Sequence, residues 1–235
     1  MMRYVSLIYD DTKKNLCRVM NSIILFVGLL SAIIPTKILP VSAVEKYILI
    51  MPKVFAILIV IIGTTTLANE FAGGRYKILL TYNLNKYKII WSKWCSNIVV
   101  CLIWGAIYNI FLRFLCYNQA LDASIYMDSI LTFVVYGAFV SSVGIFIVTL
   151  TQGYVLSFIV CFFLFLDTMS SVIAKIGEGF HIAWIQELFV NNIFLQVVNS
   201  FSQQKVETKM ACQILFLSVV INAISSFVFA KKDVL

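Results

Sequence analysis

Charge is scarce in this 235-residue chain: charged side chains make up 12% of it and hydrophobic ones 61%, against about 25% charged in an average globular domain. A soluble fold is excluded on that ground, and the mean hydropathy of +0.96 agrees. Histidine is rarer still, with His181 alone, which excludes a multi-histidine metal centre and the metalloprotease chemistry that depends on one. The six cysteines, Cys17, Cys95, Cys101, Cys116, Cys161 and Cys212, show no CxxC spacing and lie in or beside apolar runs. They read as packing residues, with neither a disulfide framework nor a zinc site. No glycine is followed by lysine, so the phosphate-cradling GxxxxGK[ST] loop is missing and the chain binds no nucleotide in that way.

Apolar sequence arrives instead in long runs. A bilayer core of about 30 Å takes roughly 20 apolar residues per helix, leaving room for six spans and short loops. The expected fold is all-α, a polytopic membrane bundle of six transmembrane helices at about 19–39, 47–69, 94–115, 129–150, 154–174 and 210–230. Residues 1–18 form a separate unit before this 19–235 domain. Arg3, Ser6, Asp10, Lys13 and Cys17 share one helical stripe and Val5, Ile8, Leu16 and Val19 another, the pattern of an amphipathic interfacial helix. No small-residue cleavage site accompanies the first apolar run, so no removable signal peptide is expected. Residues 175–209 resist a simple reading, because Phe180 to Phe201 is apolar yet holds His181, Glu187, Asn191, Asn192 and Asn199. They are taken as external helices dipping into the outer leaflet.

The 18 basic residues exceed the 11 acidic ones, for a net charge of +7. In a soluble protein this would suggest nucleic acid; here the excess follows the positive-inside bias of membrane proteins, and no nucleic acid partner is expected. Both ends of the chain and the 70–93 loop hold 11 of the 18 basic residues, which predicts a multi-pass protein with both termini cytoplasmic.

The most informative stretch is that loop. It runs Glu70-Phe71-Ala72-Gly73-Gly74-Arg75, continues through Leu79-Leu80 and Asn83 to Lys86, and ends at Lys93. This resembles the cytoplasmic loop of ABC type-2 exporter permeases, in which an acid ends the second span. A Gly then opens a short coupling helix with a Leu pair, a Pro turn leads to Arg, and a Lys opens the third span. Glu70, Gly74, Leu79, Leu80 and Lys93 match; Asn83 stands in place of the Pro and Lys86 in place of the Arg. Gly73 and Gly74 let the chain leave the span axis, after which Phe71, Arg75, Ile78 and Tyr82 fall on roughly one helical face. The plain alternative is a basic loop that only obeys the charge bias.

The resemblance implies a coupling helix seated on a cytoplasmic ABC ATPase, two such ATPase subunits per transporter, and pairing as a homodimer or with a sister permease. ATP and Mg would reside on the partner, with no cofactor on this chain. Within the family, the short length and external helical segment look like lantibiotic-immunity and bacitracin-resistance permeases of the Gram-positive cell membrane, whose expected cargo is an amphipathic peptide.

Asp167 is the one acid deep in a span, and Arg113 is placed to pair with it; intramembrane charges are costly and hence functional candidates. Gly63-Thr64-Thr65-Thr66 reads as a close-packing surface between helices. Phe180, Trp184, Phe189 and Phe194 suggest an interfacial belt and a possible exit gate. The rival from another class is an ATP-independent channel or an intramembrane enzyme centred on Asp167, and neither accounts for the loop motif.

Overall fold

In lipid every backbone N–H and C=O must find its partner within the segment, so long apolar runs become uninterrupted helices. The computed structural model describes residues 2–16, 42–72, 86–115, 123–165 and 193–231. The described residues form seven α-helices and no strand: α1 Met2–Leu16, α2 Ser42–Ala72, α3 Lys86–Leu115, α4 Ala123–Thr151, α5 Tyr154–Phe165, α6 Ile193–Gln203 and α7 Thr208–Lys231. Four of them are long and apolar enough to cross a bilayer, over Met51–Phe71, Lys86–Arg113, Ala123–Thr151 and Thr208–Lys231. The chain is thus a helical membrane protein by length and composition. The span expected at 19–39 and the later part of 154–174 lie outside the described residues.

Helices start earlier than hydropathy suggests. Helix α3 begins at Lys86 instead of near Trp94, and α4 at Ala123 instead of Ser129. Lysine is a good helix former, so charge marks where a helix leaves the hydrocarbon and does not end it.

Helix α4 is the centre of the bundle and packs against α2, α3, α5, α6 and α7. Of its most apolar 18-residue window 72% is buried, against 33% for α7, whose Phe216, Ile224 and Phe227 face outward. Small residues set the closest crossing. A Cβ added to Gly144 of α4 would lie 2.8 Å from the Gly63 carbonyl oxygen of α2, so the backbones meet there, as the 63–66 stretch suggests. Thr64 and Thr66 return their hydroxyls to the Val60 and Ile62 carbonyls at 2.8 and 2.6 Å. Cys101 and Cys161 are buried as packing residues, Cys101 directly against Gly137.

Aromatic rings fill the other half of the core. Phe55 of α2 meets Phe133 of α4 at 5.3 Å edge-on and Trp104 of α3 at 6.1 Å. Phe201 stacks on Tyr136 at 4.1 Å, and the Tyr136 hydroxyl donates to the Phe165 carbonyl at 2.9 Å. These contacts fasten the short α5 and α6 to α4.

Two helices end on a left-handed residue that is not glycine, Gln152 at φ 53° and Gln204 at φ 52°. The Gln152 N–H reaches back to the Val148 carbonyl at 2.7 Å. An L side chain in this region costs about 1–2 kcal/mol, part of which glycine returns as unfolded-state entropy. Gln152→Gly should therefore raise stability by about 0.5 kcal/mol, read as a higher unfolding midpoint in detergent; an unchanged or lower midpoint would contradict the turn geometry.

Candidate functional site

Helix α1 turns a polar face to the protein. Asp11, Thr12 and Asn15 are buried, while Val5 and Tyr9 are exposed. This face packs on α3, and there Lys93, one of the largest fully buried side chains at 1% exposure, reaches two acids. Its Nζ donates to Asp11 Oδ1 at 2.7 Å and to Glu70 Oε1, near the end of α2, at 2.9 Å.

Burying an ammonium costs several kcal/mol, and only short charge-assisted hydrogen bonds offset that. Lys93 has two of them. The acids are less evenly served, since two carboxylates share one ammonium and Asp11 Oδ2 is buried without a hydrogen-bond partner among the described residues.

A neutral layer continues the network away from the charges. Thr12 Oγ1 and Ser96 Oγ are 3.1 Å apart, and Asn15 Nδ2 donates to Thr66 Oγ1 at 3.2 Å and to Asn97 Oδ1 at 3.3 Å. The single Thr66 hydroxyl proton serves either the Ile62 carbonyl or Asn97 Oδ1, at 2.6 and 2.9 Å. Three helices, α1, α2 and α3, are thus joined by side chains in what would otherwise be apolar contact, where unmade hydrogen bonds are expensive.

The same region holds the two stems of the 70–93 motif. Phe71 packs edge-on against Phe229 of α7 at 5.9 Å. Lys86 Nζ donates to the Ala230 carbonyl at 3.2 Å, satisfying one of the orphan acceptors at the α7 C-terminus. Glu70, Phe71, Lys86 and Lys93 are therefore brought to one end of the bundle. Gly73, Gly74, Arg75, Ile78, Leu79, Leu80 and Tyr82 lie outside the described residues, as do Asp167, Phe180, Trp184 and Phe189. Arg113 is exposed near the other end of α3. Phe194 is half-buried and packs on Phe139 and Phe165 at 5.2 and 5.6 Å.

Sequence reasoning chose Glu70 and Lys93, read Thr66 only as part of a packing surface, and passed over Asp11, Thr12, Asn15, Ser96 and Asn97. A signal for most of them existed. Asp11 and Asn15, Thr66 and Glu70, and Lys93 and Asn97 are three polar pairs four residues apart, each on one helical stripe, and each helix of the network carries one. Among the described residues no three His, Cys, Asp or Glu side chains converge as metal ligands. The arrangement is a clamp of charged groups and amides that joins α1, α2 and α3.

A helical membrane protein whose N-terminal helix is locked by a buried Asp-Lys-Glu node is the class that fold and site define. No protein-family model matches the chain, and no curated protein does either.

Proposed function

We propose that the chain is the membrane-spanning permease subunit of an ATP-binding cassette exporter, worked by two cytoplasmic ATPase subunits on separate polypeptides. The observation that carries the reading is the position of the Lys93 node. It ties α1 to both stems of the basic segment between α2 and α3, the segment whose motif resembles a coupling helix. A load applied to residues 73–85 would reach α2 through Glu70, α3 through Lys93 and α1 through Asp11, moving three helices together. Such rigid-body transfer is what opening a path between two membrane halves requires.

In this reading the permease pairs with itself or a sister chain, both termini are cytoplasmic in the cell membrane, and ATP and Mg act only on the partner. The cargo is an amphipathic peptide of the lantibiotic kind, by family resemblance. The chain performs no covalent chemistry.

The test is co-purification. The tagged chain, expressed with a candidate ABC ATPase of the same genome, is expected to retain it in detergent. A variant in which 73–80 is replaced by a polar linker of equal length is expected to lose it while keeping its own unfolding midpoint. Equal retention by both, or none by the intact chain with any candidate ATPase, would overturn the proposal.

A further inference from the structure

The end of α3 away from Lys93 borders a cavity of about 340 Å³. Leu112 in its wall follows Lys93 along one continuous helix, at a distance of about 28 Å for the standard rise, close to the hydrocarbon thickness of a bilayer. The cavity therefore lies at the membrane–water boundary opposite the Asp11-Lys93-Glu70 node.

Its wall carries both signs of charge. Asp128 of α4 and Lys205, just beyond α6, both line it, and neither is salt-bridged to another described residue. Gln204 also lines it and is 9% exposed. The backbone around this residue is rigid, because α6 closes with the Gln204 N–H on the Phe201 carbonyl at 3.2 Å and the Lys205 N–H on the Ser200 carbonyl at 3.1 Å. This is the paired closure of a Schellman motif. Gln204 Nε2 donates to the Phe201 carbonyl at 2.6 Å, and Oε1 is buried without a hydrogen-bond partner among the described residues. A fixed, buried, unmatched acceptor calls for an N–H donor.

We propose that this cavity binds a phosphoethanolamine headgroup, and that its source is a membrane phospholipid. The phosphate lies against Lys205 and the first turn of α4, whose positive dipole end favours an anion. The primary ammonium, with its three donors, bonds the Asp128 carboxylate and Gln204 Oε1. A choline headgroup has the charges but no N–H for Oε1, and a glycerol headgroup has no cation for Asp128. Leu112 and the half-exposed Ile125 in the same wall give the lipid's glycerol and upper acyl region an apolar surface, which a free phosphoethanolamine would not use. This proposal needs only a bilayer around the chain, so it stands or falls independently of the exporter reading.

The full chain, purified in detergent, would be mixed with equal amounts of dioleoyl phosphatidylethanolamine, phosphatidylcholine and phosphatidylglycerol, and the retained lipid counted by native mass spectrometry. Retention of the ethanolamine lipid about tenfold above the choline lipid is expected, as for a charge-assisted hydrogen bond made to one and not the other. Gln204→Met should abolish that preference by removing the acceptor that only an N–H can satisfy, and Asp128→Asn should weaken both zwitterionic lipids relative to the glycerol lipid. Lys205→Gln, at an exposed position, should weaken both lipids alike, with the unfolding midpoint of each variant confirming an intact fold. Equal retention of the two zwitterionic lipids, preference for the glycerol lipid, or a preference unmoved by Gln204→Met would overturn the proposal. Free O-phosphorylethanolamine separates the sources: displacement of the lipid only at a large molar excess supports the lipid, and binding as tight as the lipid's would replace it with a soluble ligand.

Discussion

Lys93→Met is expected to destabilise the protein by about 3–5 kcal/mol, the range for removing one partner of a buried ion pair. The side chain it replaces is 1% exposed and is the cation between Asp11 and Glu70 at 2.7 and 2.9 Å. Methionine fills a similar volume, so packing is preserved and the loss reports charge alone. Two carboxylates would then remain in a buried setting without the Lys93 ammonium, and Asp11 already has one oxygen without a hydrogen-bond partner among the described residues. The measurement is the unfolding midpoint in detergent, followed by protease accessibility of α1, which should rise as the helix detaches. The triple substitution Asp11→Asn, Glu70→Gln, Lys93→Met should recover much of the lost stability, because a buried pair replaced as a unit is often near neutral. A single variant as stable as the parent would sink the clamp.

Gly144→Leu is the second large effect. Even the first side-chain atom meets backbone, 2.8 Å from the Gly63 carbonyl oxygen and 2.9 Å from its carbon. Backbone cannot rotate away as a side-chain tip can, so α2 and α4 must part. Overpacking of a core costs about 1–3 kcal/mol, and here the cost spreads, because α4 also supports α3, α5, α6 and α7. Gly144→Ala should fall at the lower end of the range and Gly144→Leu at or above the upper. Gly153→Ala supplies the control. Its nearest neighbour would be the Thr151 carbonyl at 3.7 Å, ordinary contact, so a change within about 0.5 kcal/mol is expected. Comparable unfolding midpoints for Gly144→Ala and Gly153→Ala would show that the α2–α4 crossing is looser than described.

Lys93 illustrates how far the chain could be read without coordinates. As a lysine at the start of an apolar run it looks like an interfacial residue, and the motif spacing marks it as the end of a coupling loop. Both descriptions place it near a membrane boundary; neither places it inside the protein. Glu70 was visible in the same way. Asp11 was marked only as half of a polar pair with Asn15, and its contact with Lys93, 82 positions away, was not legible. The stripe assigned to α1 followed Arg3, Asp10 and Lys13, with Val5 and Ile8 opposite. Amphipathic periodicity states that two faces differ; it does not state which partner each face meets. Phe194 likewise has ring contacts that periodicity does not reveal, packing on Phe139 and Phe165.

Class and helix content could be settled from sequence because their causes are local. Apolar run length fixes whether a segment can cross a bilayer, and backbone hydrogen bonding within that run forces a helix; α2, α3, α4 and α7 needed nothing further. The burial of Lys93 and the Gly63–Gly144 contact were decided only by tertiary structure. Each depends on how helices far apart in the chain dock. A buried ammonium is tolerable only where two helices other than its own bring carboxylates to within hydrogen-bonding distance, and that condition is met in space between residues whose positions in the sequence do not reveal it.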